Sequence, residues 1–207
     1  LDSSELIVLR KIKHSESSLV AGGISPDYGR LDFYVKGALK LSRSKFPCLD
    51  LFRSVKVSFR MRHEGLLSIH GADHLKSRDG LARSPALYMD ACSAAAFALK
   101  NSKFMVSRPL VYRCAGRLLD CLQDEAVSPP APGLPGVSPL LIIKTAFLLE
   151  DGLAPEDFGL GAGTARFIEE LPSFSEDDRT PRPEVFDGMS AFAAALDRIL
   201  ARSGFSL

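Results

Sequence analysis

The hydrophobic pattern of this 207-residue chain changes period once. From Glu5 to about Glu64 apolar residues alternate or come in short blocks; from about Leu81 they recur at helical spacing. In the first part, ELIVLRKIKH passes from an apolar block into alternation through Ile12. SLVAGGIS reads as a second short strand, whose glycine pair predicts a bulge or a sharp bend. SPDYG predicts a turn, because Pro26 fixes φ, Asp27 can hydrogen-bond the backbone and Gly29 can take positive φ. RLDFYVKG sets Leu31, Phe33 and Val35 on one face and Asp32, Tyr34 and Lys36 on the other. Alternation returns in LDLFRSVKVSFRMR, which predicts a strand running from Leu49 and Leu51 through Val55, Val57 and Phe59. GLLSIHGA is a last short strand. Five short strands joined by bends and tight turns predict a small closed barrel over residues 1–80.

Residues 81–207 predict helices. Ser84-Pro85 and Ser138-Pro139 each combine a capping serine with a proline suited to the first helical position. A further helix is expected after Ser107-Arg108-Pro109, through Val111, Leu118 and Leu122. LLIIKTAFLLEDG is apolar nearly all round, so its helix belongs at the centre of a bundle. FGLGAGTARF reads as a turn into a short helix, and Met189, Phe192, Leu196, Ile199 and Leu200 form an amphipathic stripe that Gly204 should stop. SPPAPGLPGVSP, residues 128–139, is a connector. The fold class is therefore α+β, a β-barrel followed by an all-helical domain.

Composition sharpens this. The chain is 46% hydrophobic, enough for a real core, and carries a formal charge of only +1. That balance hides an asymmetry. Residues 1–80 hold fourteen Lys/Arg against nine Asp/Glu, whereas residues 128–207 hold six against twelve. A basic N-terminal part opposite an acidic C-terminal part predicts a polyanion-binding surface on the barrel. The excess concentrates after the third strand. No acid intervenes between Asp32 and Asp50, while Lys36, Lys40, Arg43 and Lys45 accumulate, with Arg30 at the adjoining strand start. Such a stretch can neutralise several phosphates at once. Lys36 sits where a strand can aim it, Gly37 lets the chain turn, and the later cations sit on a looser loop. Tyr34 is the candidate base-stacking residue, or else it caps the core edge; Phe46 is a second candidate. No secretory leader or membrane-spanning run is visible, so a soluble intracellular protein is expected. Because the chain opens on Leu1, a few residues are expected to precede it.

The stretch from Leu6 to Phe59 resembles the N-terminal domain of the bacterial recombination mediator RecO. The resemblance is carried by Glu16-Ser17-Ser18-Leu19, by Tyr28-Gly29-Arg30, and by Lys36-Gly37-Ala38-Leu39-Lys40, in the family's order and spacing. Two positions depart from the family pattern: Leu39 stands where an arginine is usual, and Asp50-Leu51-Phe52 stands where Gln-Pro-Phe is common. The helical half is weakly similar, mainly through SPALYMDA and LLIIKTAFLLEDGLAPE. The resemblance implies an OB-fold joined to an all-α domain. It also implies a non-enzymatic, cofactor-free protein that binds single- and double-stranded DNA, anneals strands, and assists RecA loading with RecR and the single-strand-binding protein. A cytoplasmic, nucleoid-associated location in a bacterium follows. Arg113 and Arg117, four apart on the second helix beside Leu118, are candidates for receiving the acidic, apolar tail of a single-strand-binding protein, against the plainer reading of a solvated helix face. The Leu39 departure and the small net charge leave a different class open, a protein-interaction adaptor that retains the barrel but binds DNA weakly.

Other motifs carry less. Gly159–Thr164, GLGAGT, lacks the Gly-Lys-Ser/Thr ending and the preceding strand of a phosphate loop, so an interhelical turn is expected. His70 and His74 have helical ligand spacing, but Gly71 after a strand argues against a helix there; His14 and His63 complete the group. No G-x-S-x-G supports a hydrolase. Glu176-Asp177-Asp178 reads as a solvated acidic loop. Many RecO proteins hold zinc on four cysteines in the helical half. Here Cys48, Cys92, Cys114 and Cys121 include no C-x-x-C pair, and reduced core thiols are expected. Elemental analysis of the purified protein should accordingly find no stoichiometric zinc; about one zinc per chain would contradict this reading.

Overall fold

A computed structural model describes residues 1–39, 45–61, 65–128, 136–153, 162–177 and 188–206. The chain divides into two compact units. The first contains Leu1–Asp79 together with Ser102–Tyr112, and the second contains Gly80–Asn101 and Arg113–Leu207.

The first unit is a closed barrel of five strands, β1 (Asp2–Lys13), β2 (Leu19–Ser25), β3 (Gly29–Val35), β4 (Ser54–Arg60) and β5 (Leu67–Lys76), in the order β1-β2-β3-β5-β4. All neighbours are antiparallel except β3 and β5, which run parallel through Phe33–Leu67 and Tyr34–Ser68. This is the OB architecture, followed by helices. The alternation of β3 is realised: Leu31, Phe33 and Val35 are buried, and Arg30, Asp32 and Tyr34 are half-buried on the outer side. Leu6, Val8, Leu31, Phe33, Val57 and Phe59 fill the interior, with Phe33 and Phe59 edge to face at 5.5 Å.

The glycine pair marks the bend that closes the sheet. β1 is bulged between Val8 and Arg10, opposite Gly23 and Gly22 of β2. A Cβ on Gly23 would collide with the Ile7 carbonyl, which is backbone and cannot move aside. A Cβ on Gly22 would meet the Asp32 carboxylate, the end of a movable side chain.

One expected strand is shorter than its pattern. β4 begins at Ser54, not Leu49. Phe52 has φ 62°, its N–H donates to the Val8 carbonyl at 2.7 Å, and Asp50 accepts from the Leu51 N–H, so Leu49–Arg53 forms turns tied to β1. The buried residues here are Leu49 and Phe52, three apart, with Leu51 only half-buried, so the apparent alternation of Leu49 and Leu51 is not a strand face.

The helices are α1 (Pro85–Asn101), α2 (Pro109–Val127), α3 (Pro139–Glu150), α4 (Ala162–Glu176) and α5 (Met189–Arg202); Ser84 Oγ accepts from the Leu87 N–H at 3.5 Å, whereas Ser138 precedes α3 without a side-chain capping hydrogen bond. Every residue of α3 from Leu141 to Leu148 is buried, including Lys144, whose ammonium pairs with Asp197 at 2.5 Å and lies over the Phe97 ring. Asn101 ends α1 by exchanging hydrogen bonds with the Ser206 backbone. Gly159–Gly161 and the connector residues 129–135 lie outside the described residues, as does Asp178, whereas Ser175 and Glu176 of the expected acidic loop belong to α4. All four cysteines are free; burial pushes the Cys114 thiol up to about 12 and so keeps it protonated. Among the described residues no helix is long and apolar enough to cross a membrane.

The two glycines separate two kinds of crowding. Gly23→Ala should destabilise the protein by about 1–3 kcal/mol, since it overpacks backbone. Gly22→Ala should cost less and act mainly on the Asp32 side chain. Urea denaturation of both variants checks this; equal stabilities would contradict it.

Candidate nucleic-acid interface

The outer face of β2 and β3 is framed by register. Tyr34 lies across from Val20, which lies across from Ile12 of β1; Asp32 lies across from Gly22, which lies across from Arg10. Because Gly22 has no side chain, Arg10 and Asp32 meet over it, Nη2 donating to Oδ1 at 2.6 Å. Arg30 Nε donates to the other carboxylate oxygen at 2.8 Å. Two guanidinium groups therefore share one carboxylate, leaving a net positive charge held in fixed geometry. Arg30 is thus engaged within the protein rather than standing as an open cation.

Tyr34 is also held. Its hydroxyl donates to Ser18 Oγ at 3.2 Å, and its ring meets the His14 ring edge-on at 5.3 Å between centroids. The ring is half-buried on the outer side of β3, beside the β1–β2 loop. Phe46 differs from its expected exposure: it takes φ 54° and packs against the barrel core, because its loop needs an apolar anchor there.

The basic connection between β3 and β4 starts at the same end of this face. Gly37 takes φ 79°, as a turn directly after the strand requires. The Leu39 N–H donates to the Ser17 carbonyl at 3.1 Å, and the Lys45 N–H to the Gly37 carbonyl at 3.3 Å. Ala38 is buried, and Leu39 and Phe46 pack on the core. The apolar residues fasten the connection, while Lys36 and Lys45 are exposed and have no ion pair among the described residues. Lys40 and Arg43 lie outside the described residues. The departure at Leu39 thus acquires a packing role. Further cations nearby are Lys13 at the end of β1 and Arg60 at the end of β4, both exposed; Arg60 pairs in register with Ser68, the β5 neighbour of Tyr34.

Sequence reasoning missed the return of Ser102–Tyr112 to the barrel, since residues 81–207 were expected to be helical domain throughout. Phe104 bridges to Gly29. The Arg30 N–H donates to the Lys103 carbonyl at 3.2 Å, and the Met105 N–H to the Tyr28 carbonyl at 2.9 Å. Ser107 Oγ donates to the Pro26 carbonyl at 2.7 Å, and the Tyr112 hydroxyl to Glu5 at 2.9 Å. Burial, with the Glu5 carboxylate beside it, pushes that hydroxyl well above its ordinary range. Gly29 has φ 63°, and a side chain there would strike the carbonyls of Lys103 and Val106.

In the helical unit, Arg113 lies 3.6 Å from Glu176, and the Arg117 guanidinium lies over the Phe174 ring at 5.7 Å. Both candidate arginines therefore face the C-terminal turn of α4. Among the described residues no group of three or more His, Cys, Asp or Glu side chains could hold a metal ion.

A closed five-strand barrel in this order is an OB-fold, an architecture that in different proteins binds oligonucleotides or oligosaccharides. Residues 3–78 match the family model for the N-terminal domain of recombination protein O. The match covers the barrel and not the helices; there the chain is similar to recombination protein O, which suggests a role in DNA recombination or repair. A search of curated proteins found no match.

Proposed function

We propose that the chain binds single-stranded DNA along the β2–β3 face and acts as a non-enzymatic recombination mediator. The observation that carries this is the pair of exposed lysines, Lys36 and Lys45, beside the core-packed Ala38, Leu39 and Phe46 at the end of the OB face, in a domain that matches recombination protein O. Lys40 and Arg43, between them in sequence, would add phosphate contacts, and Tyr34 would stack on a base. Phosphate contacts supply affinity and salt dependence without reading sequence. Double-stranded DNA binding, strand annealing, and assistance to RecA loading with RecR and the single-strand-binding protein complete the reading, in the cytoplasm beside the nucleoid.

One observation favours a second reading, the adaptor with little intrinsic DNA binding. Arg10 and Arg30 spend their charge on Asp32, so the centre of the face offers less to a polyanion than its arginine content implies.

Salt titration separates the two. Single-stranded DNA affinity of the full chain should fall steeply as salt rises. Replacing Lys36, Lys40, Arg43 and Lys45 together by Ala should leave the fold stable and lower the log–log slope by about 0.7 per lost phosphate contact, whatever the base sequence. Asp32→Asn should act the other way, removing the carboxylate that Arg10 pairs with and tightening binding. A weak, flat salt response of the unaltered protein would favour the adaptor, and a fourfold variant with unchanged affinity and slope would remove the loop from the site.

For the partner tail, we propose that an acidic, apolar C-terminal peptide displaces Glu176 from Arg113 and uses both arginines. An exposed pair such as Arg113–Glu176 costs little to break. Arg113→Glu/Arg117→Glu should abolish tail-peptide binding by fluorescence anisotropy; unchanged binding would rule out this face of α2.

A further inference from the structure

A cavity of about 440 Å³ opens on the barrel unit beside the first half of β3. That volume is within the usual range for small-molecule sites. Arg30 and Asp32 line one side, Leu67 of β5 another, and Ser102, Lys103 and Phe104 of the returning segment the rest. Its polar groups are unusual in one respect. Ser102 is 4% exposed, yet its hydroxyl has no hydrogen-bond partner among the described residues. A buried hydroxyl left unsatisfied is costly, and native proteins rarely retain one without a use. Phe104, by contrast, is 37% exposed although aromatic, and Lys103 is exposed at the rim with no ion pair among the described residues.

We infer that this cavity receives one unstacked base of a DNA single strand, with Phe104 as the stacking platform, Ser102 as a hydrogen-bonding partner for the base edge and Lys103 on the adjoining phosphate. The inference rests on the DNA-binding reading above and extends the strand's path from Tyr34 down β3. The chemistry of the lining selects a base over an anion. Asp32 gives one hydrogen bond site on each oxygen to Arg10 and Arg30, and a carboxylate has about four such sites, so acceptor capacity remains. The exocyclic amines of cytosine, adenine and guanine can use it. A phosphate or an acidic peptide has no donor to offer the remaining Asp32 acceptor sites, whereas a base amine does. A base also has two apolar faces, which suit Phe104 and Leu67.

The test uses the full chain and a fluorescein-labelled single-stranded oligonucleotide at several salt concentrations. Phe104→Ala should weaken binding by about five- to 150-fold, the range for losing one aromatic–base stack, and leave the salt slope unchanged, because no phosphate contact is removed. Phe104→Tyr should restore affinity. Lys103→Ala should instead reduce the slope by about 0.7. Circular dichroism checks folding; if Phe104→Ala is unfolded, Phe104→Leu retains apolar volume without a ring and should show the same weakening. A steep salt response in the unaltered protein, combined with a folded Phe104 variant of unchanged affinity, overturns the cavity assignment and leaves the DNA-binding reading standing. Failure of the unaltered protein to bind the oligonucleotide overturns both. If Phe104→Ala leaves oligonucleotide binding intact but abolishes binding of an acidic, phenylalanine-ended peptide, the cavity is a peptide site and the inference is wrong.

Discussion

The barrel closes between β3 and β5 over only Phe33–Leu67 and Tyr34–Ser68, and this short parallel seam governs the rest of the surface. Where the seam exists, β3 has strand neighbours on both sides, so Tyr34 and the start of the basic connection are held by a rigid frame. Where it is absent, the first half of β3 would present unpaired backbone groups, the usual hazard of a strand edge. The returning segment resolves this. The Lys103 carbonyl accepts from the Arg30 N–H and the Met105 N–H donates to the Tyr28 carbonyl, with Phe104 opposite Gly29 between them. One strand thus has two differently finished halves, and side chains of different origin line each.

The same economy appears in the electrostatics. Gly22 admits the Asp32 carboxylate, and Asp32 then orders Arg10 and Arg30. A carboxylate shared by two guanidinium groups fixes their geometry but lowers their pull on phosphate. The open cations stand instead on the loop, where Ala38, Leu39 and Phe46 grip the core. Position on the face is therefore set by packing, and attraction by exposed lysines, so each can vary without undoing the other.

Much of this was legible in the sequence. Period-two patterning located β1, β2, β3 and the centre of β4, and Gly22-Gly23 announced the bend. Serine–proline pairs announced α1 and α3. What escaped did so for physical reasons. Leu49 and Leu51 alternate in sequence, but burial falls on Leu49 and Phe52, and Phe52 takes positive φ without being glycine, which no side-chain pattern reports. Phe46 resembles an exposed aromatic in a basic loop until the core contact is seen. The return of Ser102–Tyr112 rests on backbone hydrogen bonds, which are blind to side-chain identity; the sole trace was Gly29, read only as a turn residue. The Arg10–Asp32 pair needed the register across β2, including the bulge, and a bulge cannot be counted from one strand alone.

The central claim is that the β2–β3 face of the barrel is the surface that meets single-stranded DNA. Amide chemical-shift mapping of the full chain, titrated with an unlabelled oligonucleotide, tests it most directly. The expected footprint covers Val20–Gly22, Arg30–Lys36 and the Lys45 region, and leaves α3 and α5 unmoved. A footprint confined to the helices, with β2 and β3 unshifted at saturation, would contradict the account.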